Sequence, residues 1–240
     1  MKKILFLIIL FLSLFGIYKA FDNPKLNYIS IGDSLINGIN PYNNTGYGYN
    51  DYVKNYLERN NKLRNFNNYY YNNSLKGLTE DIKNNRTIMI DDKEYFLKKI
   101  LRESDIIVVS SGMDELSFNY QEDDMKYNYQ YFDKMYNDIE ELILELKKYS
   151  INDIIFIGYY NPLQTYTSDI DEYFCYINEK LSNLMKNNNI EYLDIYEEIK
   201  AGDYLDNPKN YHINTNGYLK IANLLLKYLE NAWFNKIYLL

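Results

Sequence analysis

Two residues stand out for the chemistry they could do, one serine and one histidine. Gly32-Asp33-Ser34-Leu35 follows directly on an apolar stretch, Leu26 to Ile31, that reads as a strand. A serine at a strand-to-helix turn exposes its hydroxyl beside free helix N–H groups, which can hold a developing oxyanion. The segment is not a Gly-x-Ser-x-Gly elbow, because position 36 is Ile. A serine capping an ordinary helix would look the same at this level. His212 is the only histidine of the chain and lies in Tyr211-His212-Ile213-Asn214, just ahead of the last helical stretch. An imidazole on a loop can act as general base near neutral pH. A serine nucleophile needs such a base. A lone histidine is otherwise structural or simply exposed. Tyr159 and Tyr160 either line a cleft or end a strand. The acidic pairs Asp123-Asp124, Glu140-Glu141 and Glu197-Glu198 read as solvated faces.

These residues need a scaffold, and the apolar pattern supplies one. Strands are expected at 26–31, 66–71, 105–110, 153–158 and 190–195. The third and fourth are unbroken apolar runs, as in a parallel sheet buried on both faces. Helices are expected at 47–59, 79–84, 93–102, 127–148, 171–186 and 214–229. Alternating strands and helices imply an α/β fold with helices on both faces. Reactive groups in such folds gather beyond the C-terminal strand ends. Ser34 sits at such a place.

Composition removes other classes of function. The chain has 240 residues, 47% hydrophobic and 25% charged, with 10 Gly and 4 Pro, which is the balance of a folded protein. No linker divides it, so residues 25–240 read as one domain. One Cys excludes a disulfide framework, and one His excludes a multi-His metal site. No metal or organic cofactor is called for. A net charge of −7 argues against nucleic acid as partner. The 29 Tyr fit a general codon bias, with a carbohydrate-stacking surface as the alternative. At the N-terminus, Lys2 and Lys3 precede an apolar run from Ile4 to Tyr18. Residues 1–22 therefore read as a signal peptide or a single signal anchor. Either one sends the rest of the chain out of the cytoplasm.

Four blocks, in order, resemble the SGNH or GDSL-type serine hydrolase superfamily. They are Gly32-Asp33-Ser34-Leu35, Asn72-Asn73-Ser74-Leu75-Lys76-Gly77-Leu78-Thr79, Gly112-Met113-Asp114-Glu115, and Asn207-Pro208-Lys209-Asn210-Tyr211-His212-Ile213-Asn214. The stretch Gly158-Tyr159-Tyr160-Asn161-Pro162-Leu163 is similar to that of an exported Gram-positive branch. The resemblance implies a three-layer, flavodoxin-like α/β/α fold with about five parallel strands. It implies ester hydrolysis without a cofactor, through an acyl-Ser34 intermediate with His212 as general base. The oxyanion would be held by the N–H groups of Ser34 and Gly77. A third donor in the family is an Asn side chain, and here that position is Asp114. An ionised carboxylate only accepts hydrogen bonds and repels an oxyanion. Asp114 would help only if protonated, through burial or a neighbouring carboxylate such as Glu115. On the resemblance alone, Asp114→Asn raises turnover. The family often has an Asp three residues before the histidine, and here that position is Lys209. Asp206 is then the candidate for orienting His212. The substrate class would be an acylated glycan, a cell-envelope ester or a lipid. The alternative is an envelope-associated binding protein that keeps the fold and has lost catalytic power.

Overall fold

The computed structural model describes residues 25–71, 74–90, 92–116, 128–150, 152–162, 168–200, 202–207 and 210–234, with 9–11 and 13 near the N-terminus. Strand β1, Leu26–Gly32, is an inner strand of a five-stranded parallel sheet, second from one edge. The others are β2 (Leu63–Tyr70), β5 (Ile106–Ser110), β6 (Asp153–Ile157) and β7 (Glu191–Leu193). Their order across the sheet is β2-β1-β5-β6-β7. After β2 the chain returns past β1 and builds in the other direction. The reversal between β1 and β5 leaves a crevice at their C-terminal ends. Strands β1 and β5 are buried almost throughout, and β6 is buried in all but its first residue. That explains their unbroken apolar sequences.

Helices α1 (Tyr49–Arg59), α2 (Leu75–Lys83), α3 (Leu97–Glu103), α4 (Tyr129–Lys147), α5 (Ser168–Asn187), α6 (Tyr196–Lys200) and α7 (Thr215–Leu229) flank the sheet in a three-layer α/β/α arrangement. Alternation along β1 turns Tyr28 and Ser30 towards α1. There Tyr28 Oη donates to Asn50 Oδ1 at 3.0 Å, and the Ser30 and Tyr49 hydroxyls lie 2.8 Å apart. α1 packs on α7, while α2, α4 and α5 pack one on the next.

One expected helix is corrected. Residues 93–96 are not helical but form β4 (Lys93–Phe96), antiparallel to β3 (Thr87–Ile90). The reason is local. Ile88 is buried between exposed Thr87 and Met89, the two-residue alternation of a strand. Asp92 sits at φ 59°, in the left-handed region that suits a tight reversal. Only Leu97–Glu103 is helix. The second strand begins three residues earlier than expected, at Leu63, and α2 begins four residues earlier, at Leu75. α6 carries the Glu197-Glu198 pair, expected on a solvated helix face, although none of the expected helical ranges covers it. The signal or anchor segment, residues 1–22, lies almost wholly outside the described residues. Among the described residues, no helix is long and apolar enough to cross a membrane.

The end of β1 shows what the crevice demands of the backbone. Gly32 pairs with Tyr70 on one side and Ser110 on the other. A Cβ at Gly32 would meet the Ser110 carbonyl oxygen at 1.8 Å. No side chain can move aside to relieve that overlap, so the strands themselves would have to part. We expect Gly32→Ala to cost about 3 kcal/mol. For a chain of this size that lowers Tm by roughly 6–12 °C, readable by calorimetry.

Candidate active site

The chain leaves β1 at Gly32 and turns at once. Asp33 N–H donates to the Ser110 carbonyl at 3.0 Å, and Tyr71 N–H donates to the Gly32 carbonyl at 2.7 Å. Ser34 opens a short 3₁₀ turn, Ser34–Asn37, with Asp33 as its cap. The chain leaves β5 just as abruptly. Gly112, at φ 107°, makes that turn, and a Cβ there would strike Tyr159 Oη at 2.4 Å. The turn delivers the N–H groups of Met113 and Asp114 to Asp33 Oδ2, at 2.8 and 3.2 Å. Asp33 Oδ1 accepts from Leu35 N–H at 3.3 Å. One buried carboxylate thus joins the two turns.

Ser34 is almost fully enclosed, at 2% exposure. Its Oγ lies 3.5 Å from His212 Nδ1, although 178 residues separate the two in sequence. Its hydroxyl also donates to Asp114 Oδ1, and its backbone N–H donates to Asp114 Oδ2 at 3.0 Å. Tyr211 Oη donates to Asp114 Oδ1 at 3.3 Å. The Tyr211 ring lies against the His212 ring, centroids 4.1 Å apart. Sequence reasoning did not single out Tyr211. Its only signal was an aromatic residue next to the sole histidine.

The electrostatics follow from burial. Burial pushes the Asp33 carboxyl up to about 8, and the nearby Asp114 charge adds to this. Burial also raises Asp114, opposed by hydrogen bonds from Ser34 and Tyr211. The Asp114 charge bears on Asp33, while Asp114 itself is raised by its own burial. Glu115 instead accepts the Leu75 N–H at 3.2 Å, at the start of α2. Burial lowers the His212 imidazole from 6.5 to about 4.

Other expected residues take different places. Gly77 lies in the first turn of α2, where its N–H donates to the capping Ser74 Oγ at 3.3 Å. The N–H assigned to an oxyanion is thus used by a helix cap. Ser74 three residues before Gly77 was a readable cap spacing. Asp206 is exposed and accepts from Asn214 Nδ2 at 2.6 Å, fastening the loop to the α7 cap. No carboxylate of the described residues hydrogen-bonds the second nitrogen of His212. Asn72, Asn73, Pro208, Lys209, Leu163 and the Asp123-Asp124 pair lie outside the described residues. Tyr159 and Tyr160 are buried struts. Tyr159 Oη donates to the Ser111 carbonyl at 2.6 Å, and Tyr160 Oη to the Tyr211 carbonyl at 2.7 Å. The His212 loop is also clasped by Asn207 Nδ2 on the Pro41 carbonyl, at 2.9 Å, and Asn210 Nδ2 on Asn43 Oδ1, at 2.7 Å. Among the described residues, no group of three His, Cys, Asp or Glu side chains could hold a metal ion.

With this geometry in view, comparison with known proteins is informative. The family model described as GDSL-like lipase/acylhydrolase matches residues 28–225. Solved structures of similar shape include the lipase Lip_vut3 from a goat rumen metagenome. It has a TM-score of 0.66 at 16% identity, over 83% of this chain and 95% of that one. Another is Axe2, an acetylxylan esterase from Geobacillus stearothermophilus, with a TM-score of 0.63 at 16% identity, over 86% and 94%. At that identity the likeness establishes the fold. No curated protein matches the chain.

The depressed His212 value has a consequence for stability. The unfolded chain takes up the proton near pH 6.5, and the folded chain only near pH 4. Stability from this group is complete above about pH 6.5 and is lost as the pH falls towards 4. The loss amounts to about 3 kcal/mol. His212→Gln has no such proton to take up. Urea unfolding of both proteins at pH 7 and pH 4 should show the difference moving by about 3 kcal/mol in favour of the variant at acid pH.

Proposed function

Since the chain belongs to the GDSL-like lipase/acylhydrolase family, we propose that it is a serine esterase or acylhydrolase. Ser34 attacks the ester carbonyl and forms an acyl-enzyme, with His212 as general base. The observation that carries this reading is the approach of Ser34 Oγ to His212 Nδ1, 3.5 Å apart. Burial keeps the imidazole neutral, and so able to accept a proton, down to about pH 4. The Ser34 N–H is the oxyanion donor in this reading. The substrate is an ester of a glycan, a cell-envelope component or a lipid. The known activities of Lip_vut3 and Axe2, a lipase and an acetylxylan esterase, fit that range. The Lys2-Lys3 start and the apolar run after it support export of residues 25–240, either free or on a single N-terminal anchor. The Gly158–Leu163 stretch fits the exported Gram-positive branch.

One observation favours a second reading. Asp114 occupies the Ser34 N–H and stands where a substrate oxyanion would sit. A protein that had kept the fold and become an envelope-associated binder would tolerate that arrangement. Covalent labelling with a fluorophosphonate separates the two readings. The esterase reading expects the full-length chain to be labelled and Ser34→Ala to be blank. A folded chain that takes no label would favour the binder.

A further inference from the structure

The Ser34 hydroxyl has one proton and two acceptors within reach. His212 Nδ1, at 3.5 Å, stands at the outer limit of a hydrogen bond. Asp114 Oδ1 is closer, and it is the acceptor the hydroxyl faces. The other oxygen of the same carboxylate holds the Ser34 N–H at 3.0 Å. Tyr211 Oη adds a third donor. Three donors converging on one carboxyl suit the ionised form, which only accepts.

We infer that Asp114 is a catalytic base that takes the Ser34 proton during acylation, leaving His212 to activate water during deacylation. The inference rests on the esterase reading and divides its base work between two residues. In the first step Ser34 Oγ bonds to the ester carbonyl carbon. The Oγ–H bond breaks, its proton passes to Asp114 Oδ1, and the carbonyl π pair moves to the carbonyl oxygen. When the pair returns, the bond to the alcohol oxygen breaks. Asp114 gives that oxygen the proton, so the alcohol leaves neutral and Asp114 is again a carboxylate. In the second step water bonds to the acyl carbon and loses a proton to His212. The carbon–Oγ bond breaks, and His212 returns the proton to Ser34 Oγ as the acid departs.

This sequence removes the objection to a carboxylate beside an oxyanion. Proton transfer neutralises Asp114 at the moment negative charge appears on the substrate. A neutral carboxyl also holds the Ser34 N–H less tightly and frees it for the oxyanion. The surroundings suit a base. Burial raises Asp114 from the ordinary carboxylate range and strengthens it as a proton acceptor. Tyr211 on the last loop reaches the Asp114 carboxyl, whose charge acts on Asp33 behind the turn and on Tyr70 at the end of β2. The Tyr70 hydroxyl is raised by burial and by the charges of Asp114 and Asp33. No cation faces the carboxylate in this set.

The test follows fluorophosphonate labelling rates in the full-length chain for the wild type, Asp114→Asn, Asp114→Glu and His212→Gln. p-Nitrophenyl acetate turnover and intact mass are measured alongside. Asp114→Asn should slow labelling by about 10²-fold or more. Asp114→Glu, which keeps a carboxylate and serves as the check on folding, should recover part of that loss. His212→Gln should still be labelled but stall on acetate, with the acetyl-enzyme seen by mass. Labelling of Asp114→Asn as fast as wild type or faster would overturn the inference and restore position 114 to the oxyanion. Equal loss of labelling in Asp114→Asn and His212→Gln would overturn the division of labour. A wild type that neither labels nor turns over would overturn the esterase reading itself, a result distinct from both.

Discussion

Asp33 places a carboxylate, almost wholly shut off from water, at the point where two strands end, and three backbone N–H groups converge on it. Burying a polar group is costly unless it is hydrogen-bonded, and this carboxyl accepts on both oxygens. The bonds come from the Ser34 turn on one side and the Asp114 turn on the other. Each turn alone is a short irregular segment with several unsatisfied backbone groups. Joined through one carboxyl group they fix each other. That bridge brings Asp114 onto Ser34, where both oxygens of its carboxylate meet the serine. It also concentrates two acids in one small volume, so the Asp114 charge adds to what burial does to Asp33.

The rest of the molecule supplies distance and rigidity to that junction. The sheet reverses direction between β1 and β5, so the two turns emerge side by side. Gly32 lets the strands lie close enough for Asp33 to reach the second turn. Tyr159 and Tyr160, at the end of β6, brace the Ser111 and Tyr211 carbonyls from behind. The histidine comes from the far end of the chain on a loop with no regular structure. Its ring is set by enclosure and by Tyr211 rather than by a carboxylate.

Much of this was legible in the sequence, and the reasons differ from residue to residue. The runs around Ile107 and Ile155 could only be strands buried on both faces, and those segments are strands. Ser34 and His212 were legible because each is a reactive group at the edge of a strong element, and they meet in space. The segment Lys93–Phe96 was misread because a four-residue strand carries too little periodicity to separate it from the helix that follows. The turn at Asp92 was the missed cue. Gly77 was assigned to the oxyanion from resemblance, while the Ser74 cap beside it satisfied the same N–H. The double hold of Asp114 on Ser34 had no sequence signal, because 80 residues separate the partners and only the strand order brings them together. Glu115, the neighbour in sequence, turns away to the start of α2, and it is burial that raises Asp114.

The way the His212 loop is fastened has a consequence for how the protein loses structure. Its ties include single side-chain bonds to separate elements: Asn207 to Pro41, Asn210 to Asn43, Tyr211 to Asp114, and Tyr160 to the Tyr211 carbonyl. None of them belongs to the sheet ladder. Opening this loop therefore breaks a handful of hydrogen bonds and bares Ile213 and one side of Tyr211, whereas opening the sheet exposes the whole core. Local opening of such segments has a lower free energy than global unfolding. The imidazole then leaves the serine in a minor conformer whose sheet is intact. Such a protein gives up the approach of His212 to Ser34 at a lower free energy than it gives up its fold.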